Sequence, residues 1–193
     1  MNISLKFLTF VEMNYEMEEV IIRSSTKEGQ YKEILTQIES LIASESDCIA
    51  NMANICAIIK EVFNFWWVGF YIVKESEKKG SDGSEKGDKK EAQLVLGPFQ
   101  GPLACTRIGF GKGVCGTAWA RKETIIVEDV DKFPGHIACS SSSRSEIVVP
   151  LIKGEKDGEV WAVLDIDSEH LNHFDDIDLI GLEKITKLLS QIY

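Results

Sequence analysis

Residues 65–73 read FWWVGFYIV, a short run dominated by aromatic and β-branched side chains. Such residues suit a pleated, buried strand, because their bulk packs well against neighbours on a sheet. Trp67 and Tyr71 lie four residues apart and therefore share one face of that strand. The sequence on either side gives the strand its setting. Upstream, from Tyr31, apolar residues at Ile34, Leu35, Ile38, Leu41 and Ile42 keep the three-and-four spacing of an amphipathic helix. After SESD, where Ser46 or Asp47 offers an N-cap, Ile49, Met52, Ala53, Cys56, Ile59 and Val62 draw a second helical stripe. Downstream, residues 75–91 read ESEKKGSDGSEKGDKKE, six acids against five lysines with no large apolar residue. This is a solvated, disordered insertion by composition. Order returns with AQLVLGPF at 92–99, a strand able to pair with the aromatic one across the insertion.

The rest of the chain continues the pattern. GVCGTAWARK at 113–122 has helical character, and TIIVEDV at 124–130 contains a short strand. SEIVVPLIK and EVWAVLDIDS are two further strands joined by the turn GEKDG, and residues 175–192 form an amphipathic helix that Asp175 or Asp176 caps. Helices, strands, a loop-rich middle, strands and a final helix predict an α+β domain, with helices packed on one face of an antiparallel sheet. Residues 1–24, without sustained periodicity, read as an N-terminal extension, and 25–193 as one domain.

Size and charge restrict the function. The chain has 193 residues, 44% hydrophobic, enough for one sizeable core. With 31 acids against 21 basic residues its net charge is −10, which argues against a nonspecific nucleic-acid binder, and no basic patch is evident. No apolar stretch reaches the roughly 18 residues of a membrane span. Five cysteines are an odd number and too sparse for a secreted disulfide scaffold. The expectation is a soluble, cytoplasmic protein in a reducing compartment.

Three of those cysteines, Cys105, Cys115 and Cys139, fall in the loop-rich middle, at separations of 10 and 24 that fit no common zinc spacing. No metal site is expected. Cys48 and Cys56 sit on an apolar helical stripe and read as small core residues. Cys115 lies between Gly113 and Gly116, while Cys139 follows FPGHIA and precedes four serines, contexts in which thiols can reach one another. A thiol redox enzyme needs an attacking thiolate, a resolving thiol and flexible loops, and this segment holds those parts. Three acids add to it. Glu146 opens EIVVP, and Asp165 and Asp167 alternate around Ile166 and so share a strand face. On an inner face they need a cationic partner; on an outer face they are an ordinary polar strand end.

WWVGFYIV, LVLGPFQGPLACTRIGFGKGVCGTAW, VEDVDKFPGHIAC, SEIVVPLI and VLDIDS together closely resemble the free methionine-R-sulfoxide reductases, which are built on a GAF domain. The resemblance runs from about Trp67 to the final helix. It implies reduction of free methionine R-sulfoxide, with thioredoxin as reductant and no organic cofactor or metal. Residue by residue, it implies that Cys139 is the sulfenate-forming nucleophile, that Cys105 is the principal resolving cysteine and that Cys115 is a further resolver or exchange partner. It makes Glu146, Asp165 and Asp167 substrate-binding acids and places Trp67 and Tyr71 at the pocket. Chemically, Glu146 is the first choice to protonate the leaving oxygen, and Asp165 and Asp167 to hold the substrate ammonium. A homodimer through the terminal helices is also implied. Two other classes stay open: a noncatalytic GAF-type sensor of a small molecule, and a scaffold whose cysteines are incidental.

Overall fold

The computed structural model describes residues 19–76, 91–136, 142–154 and 158–193. Expectations on residues 1–18, on the body of the charged insertion, on Cys139 and on the centre of the GEKDG turn lie outside the described residues.

Helix α1 (Lys27–Ser44) begins one turn before its apolar stripe, because Thr26 caps it by accepting from the Gly29 N–H. That first turn carries no apolar residue for the periodicity to register. Helix α2 (Cys48–Phe63) is capped by Asp47, which accepts from Ala50 N–H at 2.8 Å, and stops at Asn64 in the left-handed conformation. Strands β1 (Trp67–Ser76) and β2 (Glu91–Gln100) pair antiparallel across the insertion, as expected. There follow β3 (Arg107–Gly109), helix α3 (Gly113–Arg121), β4 (Ile125–Val127), β5 (Ser145–Ile152), β6 (Val160–Ser168) and helix α4 (Asp176–Ile192). The strands form one antiparallel sheet in the order β3-β2-β1-β6-β5-β4.

Alternation along the strands sorts the side chains into two layers. Val68 and Phe70, Ile147, Val149 and Leu151, and Ala162, Leu164 and Ile166 face α1, α2 and α4, forming the larger core with Ile34, Ile38, Met52, Ile55, Ile59, Leu182, Ile185 and Leu189. Each such fully buried side chain contributes about 1.5–3 kcal/mol. The three long helices thus share one face. The opposite face is covered by α3 and the neighbouring loops, where Trp67, Tyr71, Val148 and Val163 meet Val114, Cys115 and Ala118. Helix α3 approaches β3 so closely that a Cβ at Gly116 would lie 2.4 Å from the Gly109 carbonyl.

Buried polar contacts fix the helical layer. Asp175 accepts from the Ile177 and Asp178 N–H groups while the Asp178 carboxylate accepts from Asp175 N–H, a reciprocal capping box. Asp178 also accepts from Tyr31 Oη at 2.9 Å and Lys27 Nζ at 2.7 Å, which ties α1 to α4. Among the described residues no helix is long and apolar enough to cross a membrane.

Candidate active site

The acids are assembled by register. Asp167 on β6 stands opposite Trp67 of β1 on one side and Glu146 of β5 on the other, while Asp165 stands between Gly69 and Val148. All point to the face that α3 covers, where they line one pocket together with Trp66, Trp67, Tyr71 and Cys115. Glu146 and Asp165 are buried. The inner-face reading of the Asp pair is the one realised.

Helix α3 brings a thiol to this floor: Cys115 Sγ donates to Glu146 Oε1 at 3.9 Å. One ligand-type atom each from Cys115, Glu146 and Asp165 falls within 4.8 Å of the others. Burial is the dominant force on all of them. It drives the Glu146 carboxyl well above its ordinary range, helped by the neighbouring charges of Asp165 and Asp167, and drives Asp165 up likewise, with Asp167 adding to it. Asp167 rises to about 6, held back by the hydrogen bond it accepts from Ser143. The Cys115 thiol is pushed well up by burial and then by the Asp165 and Glu146 charges, so it is a neutral donor and not a thiolate.

Among the described residues none of the three carboxyl groups forms a salt bridge, and Asp165 Oδ1 is buried without a hydrogen-bond partner. An orphaned buried acceptor costs about 1–3 kcal/mol. The arrangement therefore favours a cationic guest with several donors, which an ammonium group provides.

The aromatic wall is also a clamp. Trp67 and Tyr71 stack with ring centroids 5.9 Å apart, and Trp67 stacks on Phe99 at 5.5 Å. Trp67 Nε1 donates to the Pro102 carbonyl at 3.1 Å, and Tyr71 Oη donates to the Cys105 carbonyl at 3.0 Å. Both rings are nearly fully buried, so they are core residues that hold the Cys105 loop against the pocket. Cys105 itself is disulfide-bonded, whereas Cys48, Cys56 and Cys115 are free thiols.

The GAF domain family matches residues 47–192. A relative from Dictyostelium discoideum, named GAF domain-containing protein A, is 53% identical over 173 residues, covering 90% of this chain and 98% of that protein. The free methionine-R-sulfoxide reductase of Saccharomyces cerevisiae is 41% identical over 170 residues, covering 86% of each chain. The solved structure of the free methionine-R-sulfoxide reductase from Neisseria meningitidis, in complex with its substrate, superposes with a TM-score of 0.78 at 49% identity, covering 91% of this chain and 95% of that one. The chain belongs to the GAF-domain family of free methionine-R-sulfoxide reductases.

Of the reductase residues expected from sequence, the structure gathers Trp67, Tyr71, Cys115, Glu146, Asp165 and Asp167 into one pocket, and sets Cys105 beside it through the neighbouring Leu103 and Ala104. Cys139 lies outside the described residues. Sequence reasoning missed Trp66, Ile108, Lys112, Val114 and Ser143, all of which line the pocket. Ser143 ends the four-serine run, and only its contact with Asp167 distinguishes it. His136, three residues before Cys139 in sequence, also lines the pocket.

Proposed function

We propose that the chain reduces free L-methionine (R)-S-oxide to L-methionine, with Cys139 as nucleophile and Glu146 as proton donor. The observation that carries this reading is the convergence of the Glu146, Asp165 and Asp167 carboxyl groups, the first two buried, in the pocket that Trp67 and Tyr71 also line, with no salt bridge to any of them among the described residues. Asp165 and Asp167 hold the substrate ammonium, which a peptide-bonded methionine lacks. Asp165 Oδ1 gains its missing donor in that complex. Binding of the cation also favours the ionised forms of these two acids, while Glu146, raised well above its ordinary range by burial, keeps a proton to give.

The Cys139 thiolate attacks the sulfoxide sulfur and the oxygen, protonated by Glu146, transfers to the cysteine sulfur. Methionine departs with its sulfur reduced by two electrons, and Cys139 is left as a sulfenic acid. The Cys105 thiol then condenses with it, releasing water and forming a disulfide, which thioredoxin reduces. The disulfide already carried by Cys105 fits its role as resolving residue. Pairing of two chains through α1 and α4 belongs to the same proposal; Ile177 and Ile180 of α4 are exposed there.

The test is a thioredoxin-coupled assay with separate R and S forms of free methionine sulfoxide, a peptide-bound sulfoxide and Cys139→Ser as control. Turnover confined to the free R form, and lost in Cys139→Ser, is expected. Folded, reduced protein that binds the sulfoxide without turning it over would overturn the reading in favour of a sensor.

A further inference from the structure

The overall charge of −10 conceals a local reversal. In a chain where roughly one residue in six is acidic, residues 92–122 contain no Asp or Glu at all, yet include Arg107, Lys112, Arg121 and Lys122. This acid-free stretch surrounds Cys105. Arg121 is paired with Glu123 at 3.5 Å and Lys122 donates to the Gly158 carbonyl, but Arg107 and Lys112 take part in no ion pair among the described residues. Arg107 lies on β3, an edge strand, opposite Val95 of β2.

Two large apolar side chains stand out in the same stretch. Leu103 is 89% exposed, two residues before Cys105, and Phe110 is 59% exposed, braced edge-on against Trp119 with ring centroids 4.8 Å apart. Neither exposure serves the core. The segment bearing Leu103 is held by the hydrogen bonds that Trp67 and Tyr71 donate to the Pro102 and Cys105 carbonyls, and Phe110, just beyond β3, is held by its contact with Trp119.

We infer that the loop from Gly101 to Lys112, with edge strand β3, is the docking surface for a protein dithiol whose reactive thiol is ringed by acidic and apolar side chains. The inference rests on the reductase reading above, in which a disulfide at Cys105 must be cleared in every cycle. The partner's thiolate forms a bond to one sulfur of that disulfide while the other leaves as a thiolate and takes up a proton. The partner's second thiol then displaces the mixed disulfide. Two electrons and two protons pass to this chain, and the partner leaves as a disulfide. Any protein reductant must bring its sulfur to this loop. Positive charge there counters the repulsion that the rest of an acidic molecule exerts on an acidic partner, and the exposed apolar side chains supply contact area.

The full chain is assayed at saturating free methionine R-sulfoxide with two reductants, a purified thioredoxin and dithiothreitol, comparing wild type, Arg107→Glu, Arg107→Lys and Phe110→Ser. In Arg107→Glu and Phe110→Ser the KM for thioredoxin should rise about fivefold or more, with dithiothreitol-driven kcat and the KM for the sulfoxide unchanged; Arg107→Lys should stay near wild type. Raising salt should weaken thioredoxin use by wild type and do so less in Arg107→Glu. An unchanged thioredoxin KM in both variants overturns the docking surface. So does an equal loss with both reductants, which would place the fault in the site. A wild type inactive with either reductant would instead remove the reductase reading on which the inference stands.

Discussion

Glu146 of β5 and Asp167 of β6 are direct cross-strand partners, side by side on the face that α3 covers. Like charges at paired strand positions destabilise a sheet, and burial adds to the cost. Asp165 sits two residues away on the same face of β6, so three carboxyl groups share one pocket with no countercharge bridged to them among the described residues. A fold gains nothing from this arrangement until a cation arrives. Burial accordingly raises all three above the ordinary carboxyl range, Asp167 to about 6, and the stability of the free protein depends on pH.

The dependence has a definite sign. Asp167 rises from 3.8 to about 6 on folding, mainly by burial, so between roughly pH 4 and 6 the folded protein keeps a proton that the unfolded chain has lost. Its contribution to stability is fully present below about pH 4 and lost as the pH rises through 6. Asp167→Asn should match wild type near pH 4 and exceed it by about 1–3 kcal/mol at pH 7. Urea unfolding at both pH values measures this. A constant gap between the proteins would mean that Asp167 titrates as an ordinary surface carboxylate.

Ligand binding should reverse the protonation. When an ammonium group enters, the ionised forms of Asp165 and Asp167 become the favoured ones, and protons leave. Calorimetry of free methionine binding at pH 6, in buffers of different ionisation enthalpy, should show an observed heat that tracks the buffer. Affinity should rise by about tenfold from pH 5 to 7. N-acetylmethionine, with no cation to offer, should not bind measurably; if it binds equally well, the acids do not hold the ammonium.

The strands and the acids were readable because a period of two is visible in the residues themselves: VLDID places Asp165 and Asp167 together with no knowledge of the fold. That they face inward was not readable. It depends on β6 lying between β1 and β5, and pairing order is a long-range property that no single strand records. The same limit hid β3, three residues held only by their pairing with β2, and the position of α3 on the far face from the other helices. Tyr71 shows the limit at one residue. Its apolar context announces a core ring, but its hydroxyl bond to the Cys105 carbonyl comes from a loop 34 positions away.

Gly69 tests the aromatic wall. It lies between Trp67 and Tyr71 on β1, opposite Asp165, and a Cβ there would come within 2.2 Å of the Trp67 ring and 2.6 Å of Phe99 Cβ. Trp67 cannot move aside without losing its stacking on Phe99 and its bond to Pro102. Overpacking of this kind costs about 1–3 kcal/mol. Gly69→Ala should melt lower than wild type and lose at least about tenfold in kcat/KM for the free sulfoxide. Unaltered kinetics would show that the ring's placement is immaterial to the pocket.

Cys115 and Cys105 should part company when each is replaced. Resolution requires a sulfur that can attack as a thiolate, and Cys115 is held protonated by burial and by the very acids it faces. Its thiol bond to Glu146 instead suits a residue that positions the proton donor. Cys105→Ser should release about one methionine per chain and then stall with thioredoxin, because the sulfenic acid has no partner for condensation. Cys115→Ser keeps a donor to Glu146 and should sustain many turnovers, within about threefold of wild type, with a shifted pH profile of kcat. A rapid-quench count of methionine formed before and after thioredoxin addition separates the two. Should Cys115→Ser stall after one turnover as well, Cys115 is an obligatory part of the thiol relay, and its burial in this state must be relieved during the cycle.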